Sequence, residues 1–327
     1  MEETEIRSNV ICVNSVFVCF ILTMVFQLNL AVITDSKYKV VTKPIIQNHA
    51  GSLITTSTWS TKVGCASSCG DSSTCLSFSY EPANGECKMY SDEVCYRDDG
   101  VTSSTITYYT KVINFANLAN CGDIPTTHCS GVYTLALSTN IDVYCDMDTA
   151  GGPWTVFANR FDGSVDFYRG WSEYKNGFGN LTGEFWLGFD KLRTVLAAQT
   201  MKLRIAMEGY DGSSRYGEYS TFAIADEASN YRLTVSTFNA PDGLFNGLSY
   251  HSGRSFSTFD RDNDSNGAGS CAEAAHGAWW YAACVDSNLF GNYTSEPGYP
   301  SMHWKYFFSS PTSYTPVAAM RMMLIKL

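Results

Sequence analysis

Charge is scarce in this 327-residue chain: Asp, Glu, Lys and Arg make up only 17%, against 45% hydrophobic residues. That ratio excludes a disordered chain, which needs much charge and little apolar surface. No basic run occurs, and 22 basic against 32 acidic residues leave a formal net charge of −10. The electrostatic footprint of a nucleic-acid binder is therefore missing. No C-x-x-C pair occurs and only five histidines exist, so zinc-ligand spacing is not met. G-x-S-x-G and H-E-x-x-H are both lacking, and with them the common hydrolase signatures. There is no collagen-like G-x-y repeat, no heptad run and no internal repeat. Long Ala/Leu/Glu/Lys stretches are scarce, whereas 26 Gly, 20 Tyr and 19 Phe are present. This balance predicts a turn-rich fold containing β-strands, and the length suggests two domains.

Cysteine, by contrast, is plentiful. Cys12 and Cys19 lie in an apolar N-terminal stretch, Val10 to about Ile33, and ten more follow. An even set behind an apolar leader points to disulfides and an oxidising compartment. The leader, taken as residues 1–34, reads as a signal peptide or as a signal anchor. Asn14, Gln27 and Asn29 interrupt it, the residues before it are acidic, and no A-x-A cleavage site stands out. In both readings the remainder is extracellular: secreted, or held by a single membrane span.

The first cysteine cluster is Cys65, Cys69, Cys75, Cys87 and Cys95. Ser60 or Thr61 stands where a helix cap belongs, with Cys65 and Cys69 four apart on one helical face. The run from Cys75 to Tyr80 alternates like a half-buried strand. Glu86–Tyr90 reads as another strand after the turn Pro82–Gly85. A helix with two cysteines, then C-x-x-F-x-Y, then a C-x-hydrophobic strand resembles a PAN/apple domain, over residues 40–112. The resemblance implies the pairs Cys65–Cys87 and Cys69–Cys75. Residues 113–120 read as a short linker.

From Cys121 to the C-terminus a second series appears: Val143-Tyr-Cys-Asp-Met147, Gly151-Gly-Pro-Trp154, Asp162 to Trp171, Gly177 to Gly188, Tyr231-Arg-Leu-Thr-Val235 and Gly277-Ala-Trp-Trp-Tyr281. Its tryptophans supply large buried areas where aliphatic content is modest. The order of motifs is similar to that of a fibrinogen C-terminal domain, the fold of ficolins, tachylectins and angiopoietins, over 121–327. The resemblance implies an α+β architecture: a central twisted, mainly antiparallel sheet with a loop-rich calcium and ligand subdomain, preceded here by the small disulfide-stapled α+β apple-like domain. It also implies Cys121–Cys145 and Cys271–Cys284. Cys95 and Cys129 remain, to pair with each other or each with another chain; the even total favours Cys95–Cys129.

The sharpest chemical signal is the segment from Asp260 to Cys271, DRDNDSNGAGSC. Carboxylates at i, i+2 spacing repel unless a cation sits between them, and hard oxygens on a Gly/Ser/Asn loop suit Ca²⁺. From Asp262 the string D-x-D-x-N-G-x5-E fits an EF-hand expression. Its entry, Ser255–Phe259, alternates like a strand, and Gly269 stands where an apolar residue belongs, so the match is accidental. The fibrinogen-domain resemblance implies instead the side chains of Asp262 and Asp264 and the main-chain oxygens of Asn266 and Ala268. Asp260 then orients the loop.

In carbohydrate-binding members of that family, a neighbouring pocket accepts an acetyl group. The resemblance places its walls here at Ala275, Ala283, Cys284, Val285 and Tyr299, with a cis peptide at Ala283–Cys284. Trp279, Trp280, Asn288 and Leu289 fit the family pattern. Ala275 stands where a tyrosine is usual and Val285 where a histidine is usual, removing one aromatic wall and one polar contact. The five histidines are expected to be structural or exposed. Asn180-Leu-Thr182 and Asn292-Tyr-Thr294 are glycosylation sequons; Asn263-Asp-Ser265 lies inside the cation loop. The resemblance implies a non-enzymatic, calcium-dependent lectin for cell-surface or microbial glycans, or alternatively a ligand or adhesion molecule for a receptor or matrix protein. Lectins of this kind gain affinity by multivalency, which makes a homo-oligomer a further expectation.

Overall fold

The computed structural model describes residues 38–41, 53–58, 62–91, 107–111, 117–307 and 314–327. The expected leader, Ser60, Thr61 and Cys95 lie outside the described residues. The chain divides into two compact units, Met1–Asn114 with Thr127–Cys129, and Phe115–Thr126 with Ser130–Leu327.

In the smaller unit, the described elements are β1 (Tyr38–Val41), β2 (Leu53–Thr58), α1 (Lys62–Asp71), β3 (Ser77–Glu81), β4 (Glu86–Tyr90) and β5 (Thr107–Lys111). The strands form an antiparallel sheet in the order β1-β5-β3-β4-β2. Gly85, at φ 69°, closes the β3–β4 hairpin in the left-handed region that glycine adopts without strain. Cys65 and Cys69 lie one helical turn apart and bond to Cys87 on β4 and to Cys75 just before β3. The core consists of Cys65, Ala66, Cys69, Cys75, Phe78, Tyr80, Cys87 and Met89. Half of it is cystine sulfur. Alternation along β3 suggested one solvated face, but Ser77, Phe78, Ser79 and Tyr80 are all buried. The strand is central, paired on both edges, and the Ser79 hydroxyl finds the Tyr90 hydroxyl at 3.3 Å.

The larger unit begins with β6 (Gly131–Ala136), β7 (Asn140–Asp146) and β8 (Trp154–Arg160), followed by α2 (Trp171–Asn176), β9 (Phe178–Gly179), β10 (Phe185–Trp186) and α3 (Phe189–Ala198). Then come β11 (Met201–Gly209), β12 (Ser214–Ile224), β13 (Leu233–Val235), β14 (Phe238–Asn239), α4 (Cys271–Ala274), β15 (Ser287–Asn288), β16 (His303–Trp304) and β17 (Thr315–Lys326). The sheet runs β13-β12-β11-β17-β8-β10-β9, with β7 and β6 added beside β8. Strand β11 shows why the sequence makes a sheet with two different faces. Met201, Leu203, Ile205 and Met207 are buried in the core, while Lys202, Arg204, Ala206 and Glu208 alternate with them onto the other face. Helix α3 buries Phe189, Leu192 and Val195, spaced three apart, against that core. Its start requires Gly188, at φ 97°, because a Cβ there would lie 2.6 Å from the Gly177 nitrogen.

Aromatic rings fill the centre. Trp186 packs edge-on against Phe157, Phe189 and Phe290, and its indole N–H donates to the Tyr174 carbonyl at 2.7 Å. Phe189 stacks on Tyr231 with centroids 4.0 Å apart. Leu118, in the stretch read as a linker, is buried in this core, and Asn120 caps the 3-10 turn Cys121–Asp123. The Cys121–Cys145 disulfide joins that turn to β7. Cys129 is disulfide-bonded; the expected partner, Cys95, lies outside the described residues.

Candidate calcium and ligand site

Between β14 and β15 the chain runs largely in loops, and their positions are set by hydrogen bonds to side chains. Ser255–Phe259 is extended but joins no ladder; isolated bridges tie Ser257 to Trp279 and Thr258 to Arg261. Asp260 accepts the Trp171 N–H at 2.9 Å and the Thr258 hydroxyl at 2.6 Å. These contacts tie the loop to the start of α2.

The loop itself winds around its own carboxylates. Asp262 Oδ1 accepts the Asp264 N–H at 3.1 Å. Asp264 Oδ1 accepts the Asn266 N–H and Oδ2 the Cys271 N–H, both at 2.7 Å. Burial raises the Asp264 pKa, backbone donors oppose it, and the Asp262 charge adds to the rise. Two carboxyl groups thus stand side by side, with no cationic side chain between them among the described residues. The main-chain carbonyls of Asn266 and Ala268 accept no hydrogen bond among the described residues. Two carboxylates and two free carbonyl oxygens on one turn are the hard donor set that suits Ca²⁺. No group of three or more His, Cys, Asp or Glu side chains gathers for a metal among the described residues; the set here contains only two.

The cation loop and the pocket loop are stitched together. The Ser265 N–H donates to the Ala282 carbonyl at 3.2 Å, the Asn266 amide lies 3.7 Å from Cys284 Sγ, and the Cys271–Cys284 disulfide joins the two strands of chain. The Ala283–Cys284 peptide is cis. Ala283 is exposed and Cys284 half-buried, whereas Val285 turns inward. Ala275 ends α4, fully buried, and its carbonyl accepts the Asn288 amide at 2.9 Å. Tyr299 is half-buried and meets Tyr314 edge-on at 5.5 Å; burial pushes its pKa up to about 12, so the phenol stays protonated.

His251, one of the five histidines expected to be structural or exposed, is structural and fixes the pocket loop. Its ring is fully buried, with Nδ1 2.8 Å from the Trp280 carbonyl. Nε2 accepts the N–H groups of Asp286 and Ser287, each at 3.2 Å. The proton therefore sits on Nδ1, and burial holds the pKa down at about 4. His303 is buried as well, with Nδ1 on the Ser301 carbonyl and its ring edge-on to Tyr314. Nothing local in the sequence marks either residue, because their partners lie in other segments. Asn263, of the third sequon, donates its side-chain amide to the Phe256 carbonyl at 2.8 Å. Asn180 and Asn292 are exposed.

A sheet-centred, aromatic-cored, disulfide-stitched domain with such a loop pair is the architecture of a fibrinogen-type globe. The family model for the C-terminal globular domain of fibrinogen beta and gamma chains matches residues 118–326, and the PAN domain model matches residues 38–114. The chain belongs to the fibrinogen C-terminal domain family. Among curated proteins it is 45% identical to human Ficolin-3 over 166 residues, 50% of this chain and 55% of that protein. It is 43% identical over 168 residues to fibrinogen-like protein A of Apostichopus parvimensis, 51% of this chain and 59% of that protein. The matches thus span little more than half the length of these relatives. Among solved structures, the fibrinogen-like globe domain of human ANGPTL6 aligns with a TM-score of 0.59 and 31% identity, covering 65% of this chain and 96% of that one. That of human ANGPTL2 gives 0.56 and 33%, covering 60% and 92%. Lamprey fibrin D-dimer, complexed with the peptide Gly-His-Arg-Pro-amide, gives 0.56 and 29%, covering 64% and 74%.

Proposed function

We propose that this protein is an extracellular recognition molecule in which a calcium ion at Asp262, Asp264, Asn266 and Ala268 sets the shape of a glycan-binding pocket. The observation that carries the reading is the stitching of the two loops: the Cys271 N–H on Asp264, the Ser265 N–H on Ala282 and the disulfide between them. Whatever fixes the carboxylates also fixes the peptide at 283–285. The ion supplies charge compensation and geometry when bound; this chain's residues present the surface. No catalysis is assigned to the site. Asn180 and Asn292 are proposed as glycan carriers, residues 1–34 as a leader or anchor and the product as secreted or anchored, and a homo-oligomer as the assembly that multiplies weak sites.

A second reading has its own observation. With Ala275 buried at the end of α4 and Val285 packed inward, the pocket lacks the tyrosine and histidine that the resemblance leads one to expect. This favours a changed glycan or a protein ligand, such as a receptor or matrix component. Glycan-array binding of the full chain, with and without a chelator, separates the readings. The lectin reading expects chelator-sensitive capture of glycans, competed by N-acetylated sugars if the usual pocket geometry persists. Capture of no glycan in either condition overturns it.

A further inference from the structure

The second face of the central sheet, away from the cation loop, contains a hollow of about 580 Å³. Its origin is visible in the strand register. Ala206 on β11 pairs with Tyr216 on β12 and with Arg321 on β17. Glu208, the next residue on that face of β11, pairs with another small residue, Ala319. Neighbouring strands lie about 4.8 Å apart, so Tyr216 and Arg321 rise roughly 10 Å from each other with only a methyl group between them. Arg204 borders the same gap and lies over the Tyr216 ring, 3.7 Å from its centroid.

The polar groups of this hollow are incompletely used. Arg204 is 7% exposed, and its Nε is buried with no hydrogen-bond partner. One Arg204 Nη donates to the Ala150 carbonyl. Its nearest carboxylate, Glu218, stands 3.8 Å away and is already engaged by Lys202 at 2.6 Å. Arg321 is held in place by Asp146 at 2.7 Å and by Asn159 at 3.2 Å, which take Nη1 and Nε. Its Nη2 has no protein partner among the described residues. Arg215 pairs with Met207 on the core face and its guanidinium lies over the Phe307 ring, so its charge does not face the hollow, while Glu208 supplies a negative one. Arg204 and Lys202 share Glu218, Arg321 is paired with Asp146 and Glu208 faces the hollow, so the charges around its apolar floor balance.

We propose that this hollow binds a compact monocarboxylate whose apolar or ring-shaped body rests on Ala206 and Ala319 while its carboxylate meets the second Nη of Arg204 and Nη2 of Arg321, the Arg204 Nε being buried out of reach. A planar carboxylate matches the guanidinium fork. A dianion such as phosphate is disfavoured, because the charges around the hollow balance and Glu208 faces the same space. The volume falls within the range of small-molecule pockets, about 300–1,000 Å³. This proposal is independent of the loop site.

The test titrates the full chain with benzoate and with glucuronate, each beside its neutral counterpart, benzyl alcohol and glucose. The two acids separate an aromatic from a sugar source of the carboxylate. At least one acid should bind saturably with a Kd of roughly 10 mM or tighter, and its neutral counterpart about tenfold more weakly. Ala206→Leu fills the floor without touching a charged pair, and should weaken binding about tenfold or more while melting and glycan capture stay unchanged. Arg321→Lys keeps a cation for Asp146 but loses the fork, and should weaken binding several-fold. Equal binding of acid and neutral probe, unchanged binding in Ala206→Leu, or no saturable binding of either acid overturns the proposal.

Discussion

The two units of this chain solve the same problem with different materials. The smaller unit encloses a core of eight residues of which four are cystine half-residues, bonded as Cys65–Cys87 and Cys69–Cys75. The larger unit spends few covalent links relative to its size and relies on stacked and edge-on aromatic rings around Trp186, Phe189 and Phe290. A small domain buries too little apolar area to offset chain entropy, so it needs cross-links. A large one can bury whole indoles. The contrast teaches that one chain can carry a unit sensitive to reduction beside a unit sensitive to cavities and to acid.

Acid should produce the largest difference. His251 and His303 both have folded-state pKa values of about 4, lowered first by burial. Unfolded histidine titrates near 6.5. Between those values the unfolded chain binds protons that the folded larger unit refuses, so stability is full above about pH 6.5 and falls as pH drops toward 4. Each ring contributes up to roughly 3 kcal/mol. Among the described residues of the smaller unit His128 is the single histidine, against His251, His276 and His303 in the larger one. Tryptophan-fluorescence melts from pH 7 to pH 4.5 should therefore show a steep loss for the larger unit. His251→Gln should flatten the slope by about half. A melting point independent of pH over this range would remove both histidines from the argument.

Trp186→Ala comes next. The indole is 1% exposed and surrounded by Phe157, Phe189 and Phe290. Truncation should cost about 3–5 kcal/mol, with the spread set by how far the site collapses. Segment-resolved amide exchange should accelerate across residues 118–307 and leave residues 62–91 unchanged. The reverse experiment is the double substitution Cys65→Ala with Cys87→Ala. The bond spans 22 residues of sequence, and opening such a loop costs about 3 kcal/mol in the chain-entropy account. Exchange should then rise in residues 62–91 alone. Equal effects of both changes on both segments would mean that the units do not differ in the way described.

What could be read in the sequence follows the same division. Cysteine spacing and the C-x-x-F-x-Y strand are local patterns, and each falls in the element expected of it. The carboxylates of Asp262 and Asp264 are likewise close in sequence, and they stand near enough for the Asp262 charge to act on Asp264. Features built from distant register could not be read. Arg160 is buried with one Nη donating to the carbonyls of Leu289 and Gly291, about 130 positions away. Glu184 accepts the N–H groups of Phe161, Asp162, Gly163 and Val165. The hollow above Ala206 exists only because three strands bring one alanine between a tyrosine and an arginine. His251 gains its role from Asp286 and Ser287, some 35 positions on.

The smallest effect bears on where the larger unit begins. Residues 113–120 carry no periodic signal and read as a linker. Yet the Asn120 side chain accepts the Gly122 N–H at 2.8 Å, and Asp123 returns the favour to the Ala119 and Asn120 N–H groups at 2.8 and 3.1 Å. This reciprocal cap holds the turn that carries Cys121 and sits beside buried Leu118. A capping side chain is worth about 1 kcal/mol. Asn120→Ala should lower the larger unit's stability by that amount, with amide exchange rising around residues 118–124 and no change in residues 62–91. If the substitution is silent in both segments, the cap does not hold this end of the larger unit, and the fold starts at the Cys121–Cys145 bond as spacing alone would suggest.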